Sequence, residues 1–381
     1  KAAVEQGLKA EPEDPMVNLT AAKLGRRENR HRESADRLLD VLGRDVTPDL
    51  KAGIHFELGQ LFDRLGDDAG AFGHFQQANA IQRDTLVGGG GMDADKNRYL
   101  KQLDALGRRF QKGWPETWTP TPPLMGERAP VFLIGFPRSG TTLLEQIIDA
   151  HPGLQVLDEQ PAVQAMVDEV LSLAEGYPKA LAGLSGPDIE RLRSLYFAAV
   201  NAAIDRDSKS LLVDKLPLNI ADAGLILRVF PEAKFILALR HPCDAVLSCF
   251  MQSFVINDPM ANFFTLGDAA NLYAKVMDLW RQYLDVLTVQ FHPIRYEDLV
   301  EDMETETRGV LDFLGAGWDD AVLGYREHAL GKEKIATPSY QQVVEPIYKR
   351  AKYRWLKHAR EFEPVMETLR PYIDEFGYAD G

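Results

Sequence analysis

The chain reads as an α/β protein, a parallel sheet with flanking helices, preceded by an all-α segment. Three observations predict this. Val131, Phe132, Leu133 and Ile134 form a short apolar run without polar alternation, the mark of a strand buried on both faces of a parallel sheet. The run ends at Gly135, and after a glycine-bounded turn Leu143, Leu144, Ile147 and Ile148 recur at helical spacing. Two further apolar runs, 211–213 and 235–239, each lead into charged residues, whereas 1–86 shows helical periodicity and no strand signal.

With 381 residues, the chain is long enough for one large domain plus a smaller one. Apolar content of 45% and charged content of 26% are ordinary for a soluble protein. A net charge of −14 argues against broad nucleic-acid binding, which needs a basic surface. No apolar run approaches the ~20 residues of a membrane span. The chain begins at Lys1 rather than methionine, so further sequence upstream, including a targeting segment, is an open expectation. Cys243 and Cys249 are too few for a disulfide scaffold and lack zinc-type spacing. Six residues apart on one helix they point to different faces and read as packing thiols, which makes a reducing cytoplasm the expected compartment.

In the first third, the best-formed stretch is 55–78, where Leu58, Gly59, Phe62, Gly66, Ala71, Phe75 and Ala78 alternate small and large positions. This resembles a tetratricopeptide repeat, in which small residues let two helices approach and aromatics fill the gap. A weaker copy carries Leu19, Ala22, Ala35 and Leu39, and LKAEPEDP resembles the end of another, two to two and a half units in all. Such arrays need about three units for a continuous core, so this one is expected to lean on the following domain or to continue upstream. Its surface suits an acceptor or a protein partner; packing or oligomerisation is the alternative. Four glycines at 88–91 make a flexible break, a polar helix covers about 93–112, and WPETWTPTPP at 114–123 reads as an extended connector. The expected domains are therefore 1–86 (repeats), 87–127 (linker with a helix) and 128–381 (α/β domain).

The turn Gly135-Phe136-Pro137-Arg138-Ser139-Gly140-Thr141-Thr142 has the glycine spacing of a P-loop, but Thr141 stands where that motif has its lysine. The lysine serves the β- and γ-phosphates of a nucleoside triphosphate, so its loss argues against an NTPase. What remains is suited to hold a single 5′-phosphate: backbone amides at a helix N-terminus, the hydroxyls of Ser139, Thr141 and Thr142, the backbone of Gly140, and the forked donor of Arg138. FPRSGTT resembles the 5′-phosphosulfate loop of sulfotransferases that use 3′-phosphoadenosine 5′-phosphosulfate (PAPS).

Further along, Asp158 and Glu159 end a short strand, 154–157, on the edge where open α/β sheets bind ligands. A carboxylate there suits a base for an acceptor hydroxyl, although an acidic pair also serves as a helix cap or solvated turn. The resemblance selects Glu159, the place of the base in tyrosylprotein sulfotransferases. His151 and His241 are rival bases, each before a proline or at an element end. Lys215, closing the 211–213 strand region, is costly to bury unless it meets an anion. It suits charge on a leaving phosphate and sulfuryl group, as the resemblance implies, or a salt bridge with Asp214 or Glu159.

Arg240 follows the 235–239 strand, and Ser248 lies eight residues on in a helix opening near Pro242. They match the pair that grips the 3′-phosphate of PAPS in this family, and a second phosphate needs such a second anion site. The YEDL segment resembles the one that follows, which assigns Tyr296 to the nucleotide. The tail carries Lys349, Arg350, Lys352, Arg354, Lys357 and Arg360, a solvated basic face or, by resemblance, a closing loop whose Ser339 assists catalysis and whose Arg354 binds the 3′-phosphate.

The resemblance spans about 128–381, and its pairing with repeats is similar to a bacterial sulfotransferase architecture. It departs where the tyrosylprotein enzymes hold acidic peptides with arginines; here Gln160, Pro161 and Ala165 stand in those places. The expected function is transfer of a sulfuryl group from PAPS to an acceptor hydroxyl, without a metal or a membrane span. Protein tyrosine, a carbohydrate and a small hydroxylated metabolite remain open as acceptors. A P-loop kinase and a repeat-based binding protein are the rival readings.

Overall fold

In a computed structural model of the chain, residues 1–88, 93–207, 209–331 and 351–378 are described. A five-stranded sheet is built from β1 (Val131–Gly135), β2 (Leu154–Asp158), β3 (Leu211–Lys215), β4 (Lys234–Leu239) and β5 (Gln290–Arg295), in the order β2-β3-β1-β4-β5. All neighbours are parallel, with Leu133 beside Lys215, Asp158 beside Lys215 and Leu239 beside Arg295. Every residue of β1 is buried, as its unbroken apolar run requires. Its side chains alternate between two cores: Val131 and Leu133 join one face, Phe132 and Ile134 the other.

Among the described residues, six α-helices precede the sheet: α1 (Ala2–Ala10), α2 (Pro15–Arg27), α3 (His31–Leu42), α4 (Pro48–Leu65), α5 (Asp68–Val87) and α6 (Lys96–Arg109). The expected small-to-large fit is visible between α4 and α5, where a Cβ on Gly59 would lie 2.6 Å from the ring of Phe75. Gly66 ends α4 in the left-handed conformation that glycine adopts without strain. Leu19, Ala35, Leu38 and Leu58 form a small core within α2–α4, but Phe72, Phe75, Tyr99, Leu103 and Leu106 belong to the main core. The helical region therefore leans on the α/β part, with Phe72 stacked on Phe250 at 5.1 Å and Asn79 donating to the Phe250 carbonyl at 2.9 Å.

The expected linker is likewise packed. Its helix runs over Lys96–Arg109, capped by Asp95, and the connector contains a short 3₁₀ turn at Pro115–Thr117. Arg228 donates to the hydroxyls of Thr119 and Thr121, and Arg193 to the carbonyls of Pro122 and Pro123. Two buried guanidiniums thus strap this segment to the sheet's covering helices.

Around the sheet pack α7 (Thr141–Asp149), α8 (Ala162–Ser172), α9 (Gly186–Ala203), α10 (Ala223–Val229), α11 (Pro242–Phe250), α12 (Leu266–Val286), α13 (Tyr296–Leu299), α14 (Met303–Leu314), α15 (Tyr325–Gly331), α16 (Ala359–Phe362) and α17 (Met366–Glu375). Cys243 and Cys249 are free and buried on α11, and burial pushes both thiols well above their ordinary pKa. Among the described residues no helix is long and apolar enough to cross a membrane.

Candidate active site

Because all five strands are parallel, their carboxyl ends share one edge, and each delivers a residue singled out in the sequence. The loop after β1 brings Arg138, β2 leads to Glu159, β3 ends on Lys215, β4 leads to Arg240 and β5 to Tyr296. A cleft of about 840 Å³ opens along this edge, and Arg138, Gly140, Thr141, Thr142, Glu159, Arg240 and Tyr296 line it.

The loop turns sharply from β1 into α7. Gly140 caps α7 at φ +90°, and a Cβ there would lie 2.7 Å from the Tyr296 ring. Glycine is thus required twice, for its dihedral and for the close approach of the ring. Ser139, Thr141 and Thr142 are buried beside the first amides of α7, which have no partner within the helix. Arg138 holds a left-handed φ of +69° and donates from Nε to Ser248 Oγ at 3.1 Å. Arg240 donates to the Arg138 carbonyl at 3.0 Å and to the Ala351 carbonyl at 2.7 Å, its guanidinium 5.1 Å from the Tyr296 ring centroid. The glycine-bounded loop and the Arg240–Ser248 pair are therefore joined through Arg138.

The carboxylate side is an ion cluster. Lys215, fully buried, places Nζ 3.0 Å from Glu145, 2.6 Å from Asp158 and 2.9 Å from Glu159. Burial alone would lower its pKa, but Glu145, Glu159 and Asp158 together hold it well above the ordinary lysine value. Asp214, the other partner considered, instead accepts from the Tyr196 hydroxyl at 3.0 Å, and burial pushes it up to about 7. Glu159 has a left-handed φ of +46°, fixed by its amide donating to the Lys215 carbonyl at 2.8 Å. Among the described residues, four non-glycine residues adopt positive φ, and Arg138 and Glu159 are two of them.

Several sequence expectations land elsewhere. Ser139, Lys215 and Ser248 stand behind the cleft wall rather than on it. Arg354 is turned away, paired with Asp63 of α4 at 2.8 Å, and Lys357 reaches Asp68 at 3.1 Å. This part of the basic tail docks the chain's two ends together. Ser339, Lys349 and Arg350 lie outside the described residues. The rival bases are committed to structure: both ring nitrogens of His151 bond backbone groups, and His241 caps α11 and stacks on Trp355 at 5.3 Å. Glu145 was missed; the signal was an acid inside the apolar run of α7, which burial makes costly unless paired. Arg98 and Tyr99 of α6 also line the cleft, which no local motif announced.

Residues 130–320, half of the chain, match the profile of the Sulfotransferase family. The chain belongs to the sulfotransferase family. A protein of Aquifex aeolicus (strain VF5), itself uncharacterized, is 31% identical over 252 residues, covering 64% of this chain and 32% of the relative. Protein-tyrosine sulfotransferase 2 of Gallus gallus is 26% identical over 271 residues, 65% of this chain and 69% of that enzyme. Among solved structures, the sulfotransferase domain from the Synechococcus PCC 7002 olefin synthase aligns at 23% identity and a TM-score of 0.45, covering 69% of this chain and 99% of that domain. This sulfotransferase-family chain thus spans about a third of the length of its Aquifex relative. The family match covers all five strands, and with them Arg138, Glu159, Lys215, Arg240 and Tyr296, but stops short of α6 and the tail.

Proposed function

We propose that the chain moves the sulfuryl group of PAPS to an acceptor hydroxyl. The observation that carries this reading is the coupling of two anion sites through Arg138, bonded to Ser248 on one side and to Arg240 on the other. Such an arrangement suits a nucleotide with separate 5′- and 3′-phosphates better than a triphosphate chain. Family membership supports the reaction class.

The residues fit such a nucleotide. The amides of α7, with Thr141, Thr142 and Arg138, would hold the 5′-phosphate, Ser139 backing the loop from behind, and Gly140 leaves room that a side chain would fill. Arg240 would hold the 3′-phosphate with Tyr296 alongside, and Ser248 would act from behind through its hydrogen bond with Arg138. PAPS, when bound, supplies the activated sulfuryl group. Glu159 then takes the acceptor proton, its side chain 34% exposed at the cleft. Lys215 holds Glu159 from behind, and Arg138 with the loop amides offsets charge on the departing phosphate. Arg354 stays outside this set because Asp63 engages it. The paired helices at the amino terminus are read as tetratricopeptide-like repeats, and the free thiols favour a reducing cytoplasm.

A kinase reading lacks its lysine: among the described residues no lysine lines the cleft, and Thr141 occupies the P-loop position. The test is titration calorimetry with 3′-phosphoadenosine 5′-phosphate (PAP) against ATP. PAP binding that is lost in Arg240→Ala, with ATP ignored, is expected; preference for ATP would overturn the reading. Glu159→Gln should lower turnover by about 10²–10⁴-fold with PAP affinity unchanged. Near-normal turnover in that variant would remove Glu159 as the base.

A further inference from the structure

The cleft extends past the nucleotide residues along a wall that lies partly outside the family match. Asp93, Arg98, Tyr99 and Gln102 come from α6 and the residues before it, facing Asp222 and the segment 254–260. The two sides are tied together: Asp258 accepts from the Asp95 amide at 2.8 Å and pairs with Arg98 at 3.2 Å.

Charge on this wall is one-sided. Asp93, Asp222 and Asp258 stand against Arg98, whose guanidinium is already shared between Asp93 at 2.9 Å and Asp258. Among the described residues, the other cations lining the cleft are Arg138 and Arg240, both in the proposed nucleotide set. Glu159 adds a further carboxylate, and the lysine behind it is divided among three acids. The α8 side adds no cation: Gln160, Pro161 and Ala165 are uncharged, and the cleft-facing residue of α8 is Gln164. An anion entering here meets net negative charge with no cation assigned to it.

The remaining surface is apolar or neutral. Pro217, Leu218, Phe254, Val255 and Met260 line it, with Val255 92% exposed. Tyr99 is buried, its hydroxyl has no hydrogen-bond partner among the described residues, and it lies within the field of Asp222. Burial, aided by that carboxylate, raises the phenol well above its ordinary pKa and keeps it a neutral group.

Resting on the sulfotransferase reading, we propose that the acceptor is an uncharged or cationic hydroxylated compound with an apolar body, and that Asp222, Asp258 and the start of α6 select it against anions. The helical segment ahead of the family domain is then part of the substrate site.

The experiment measures PAP formation from PAPS with three para-substituted phenols that differ in charge: tyramine, 4-methylphenol and 4-hydroxyphenylacetate. Wild type is compared with Asp222→Asn/Asp258→Asn, in which each amide oxygen still accepts from the Tyr177 hydroxyl or the Asp95 amide. The cationic and neutral phenols should exceed the anionic one by at least about tenfold in kcat/KM, and the double variant should shrink the cationic-to-anionic ratio about tenfold. Equal or better use of the anionic phenol, use of none of the three, or a ratio unchanged in a variant that binds PAP normally would overturn the proposal. Calorimetry with PAP separates the two readings: wild type that binds PAP but fails these criteria loses only the acceptor class, whereas wild type that does not bind PAP loses the sulfotransferase reading. Should the variant fail to bind PAP, the wild-type order of the three phenols decides.

Discussion

Replacing Lys215 by methionine removes the cation shared by three carboxylates, and the structure says which of them matters most. Asp158 and Glu159 keep 24% and 34% of their side chains in water, so solvent takes up part of their charge. Glu145 is fully buried and has no such recourse. Leaving one partner of a buried ion pair uncompensated costs about 3–5 kcal/mol, and that range is expected for Lys215→Met at pH 7.5. The sign with pH follows from Glu145: without the lysine, burial and like-charged neighbours raise its folded pKa above the unfolded value. Its stabilising contribution is then present at low pH and lost as pH rises, so the variant should recover part of its deficit at pH 5.5. Urea unfolding at the two pH values measures this, and Lys215→Met/Glu145→Gln should be more stable than Lys215→Met. A loss below about 1 kcal/mol, or the same loss at both pH values, would refute the argument. PAP affinity in Lys215→Met should stay near wild type while turnover falls, because the ammonium lies behind the cleft wall. A parallel loss of PAP affinity would return Lys215 to direct phosphate contact.

Gly140→Ala combines a left-handed backbone, worth about 1–2 kcal/mol of strain, with a Cβ 2.7 Å from the Tyr296 ring, and should weaken PAP binding by about tenfold or more; calorimetry showing unchanged affinity would contradict it. Asp214, pushed up to about 7 by burial, is protonated in the folded state where the unfolded chain is ionised. Its contribution is present below the ordinary carboxylate pKa and lost as pH rises through about 7, a slope of up to about 1.4 kcal/mol per pH unit in that window. Asp214→Asn should flatten that part of the urea-stability profile, and a profile superimposable on wild type would exclude it. Arg354→Ala breaks a partly exposed pair with Asp63 and should cost at most about 1 kcal/mol with PAP affinity intact; a clear loss of PAP affinity would place Arg354 at the nucleotide after all.

Local signals were readable without coordinates. An apolar run with a charge beyond its end marks a buried strand, and such marks located Arg138, Lys215 and Arg240, whereas Tyr296 was reached through the resemblance of the YEDL segment. That they share one edge follows once all strands are parallel. The small-to-large pattern of 55–78 likewise anticipated the seat of Phe75 on Gly59, since both residues belong to one helix pair. Partner choice was not readable. Arg138 meets Ser248, Lys215 meets Glu145, and Arg354 meets Asp63 across 110, 70 and 291 positions of sequence respectively. Which acid reaches a given cation depends on strand order and on how helices from the chain's two ends pack, and neither leaves a periodic trace. The wall made by Arg98 and Tyr99 has the same origin. An ordinary polar helix becomes part of the site because Tyr99, Leu103 and Leu106, on one face, seat it in the main core and leave Arg98 and Gln102 beside the cleft.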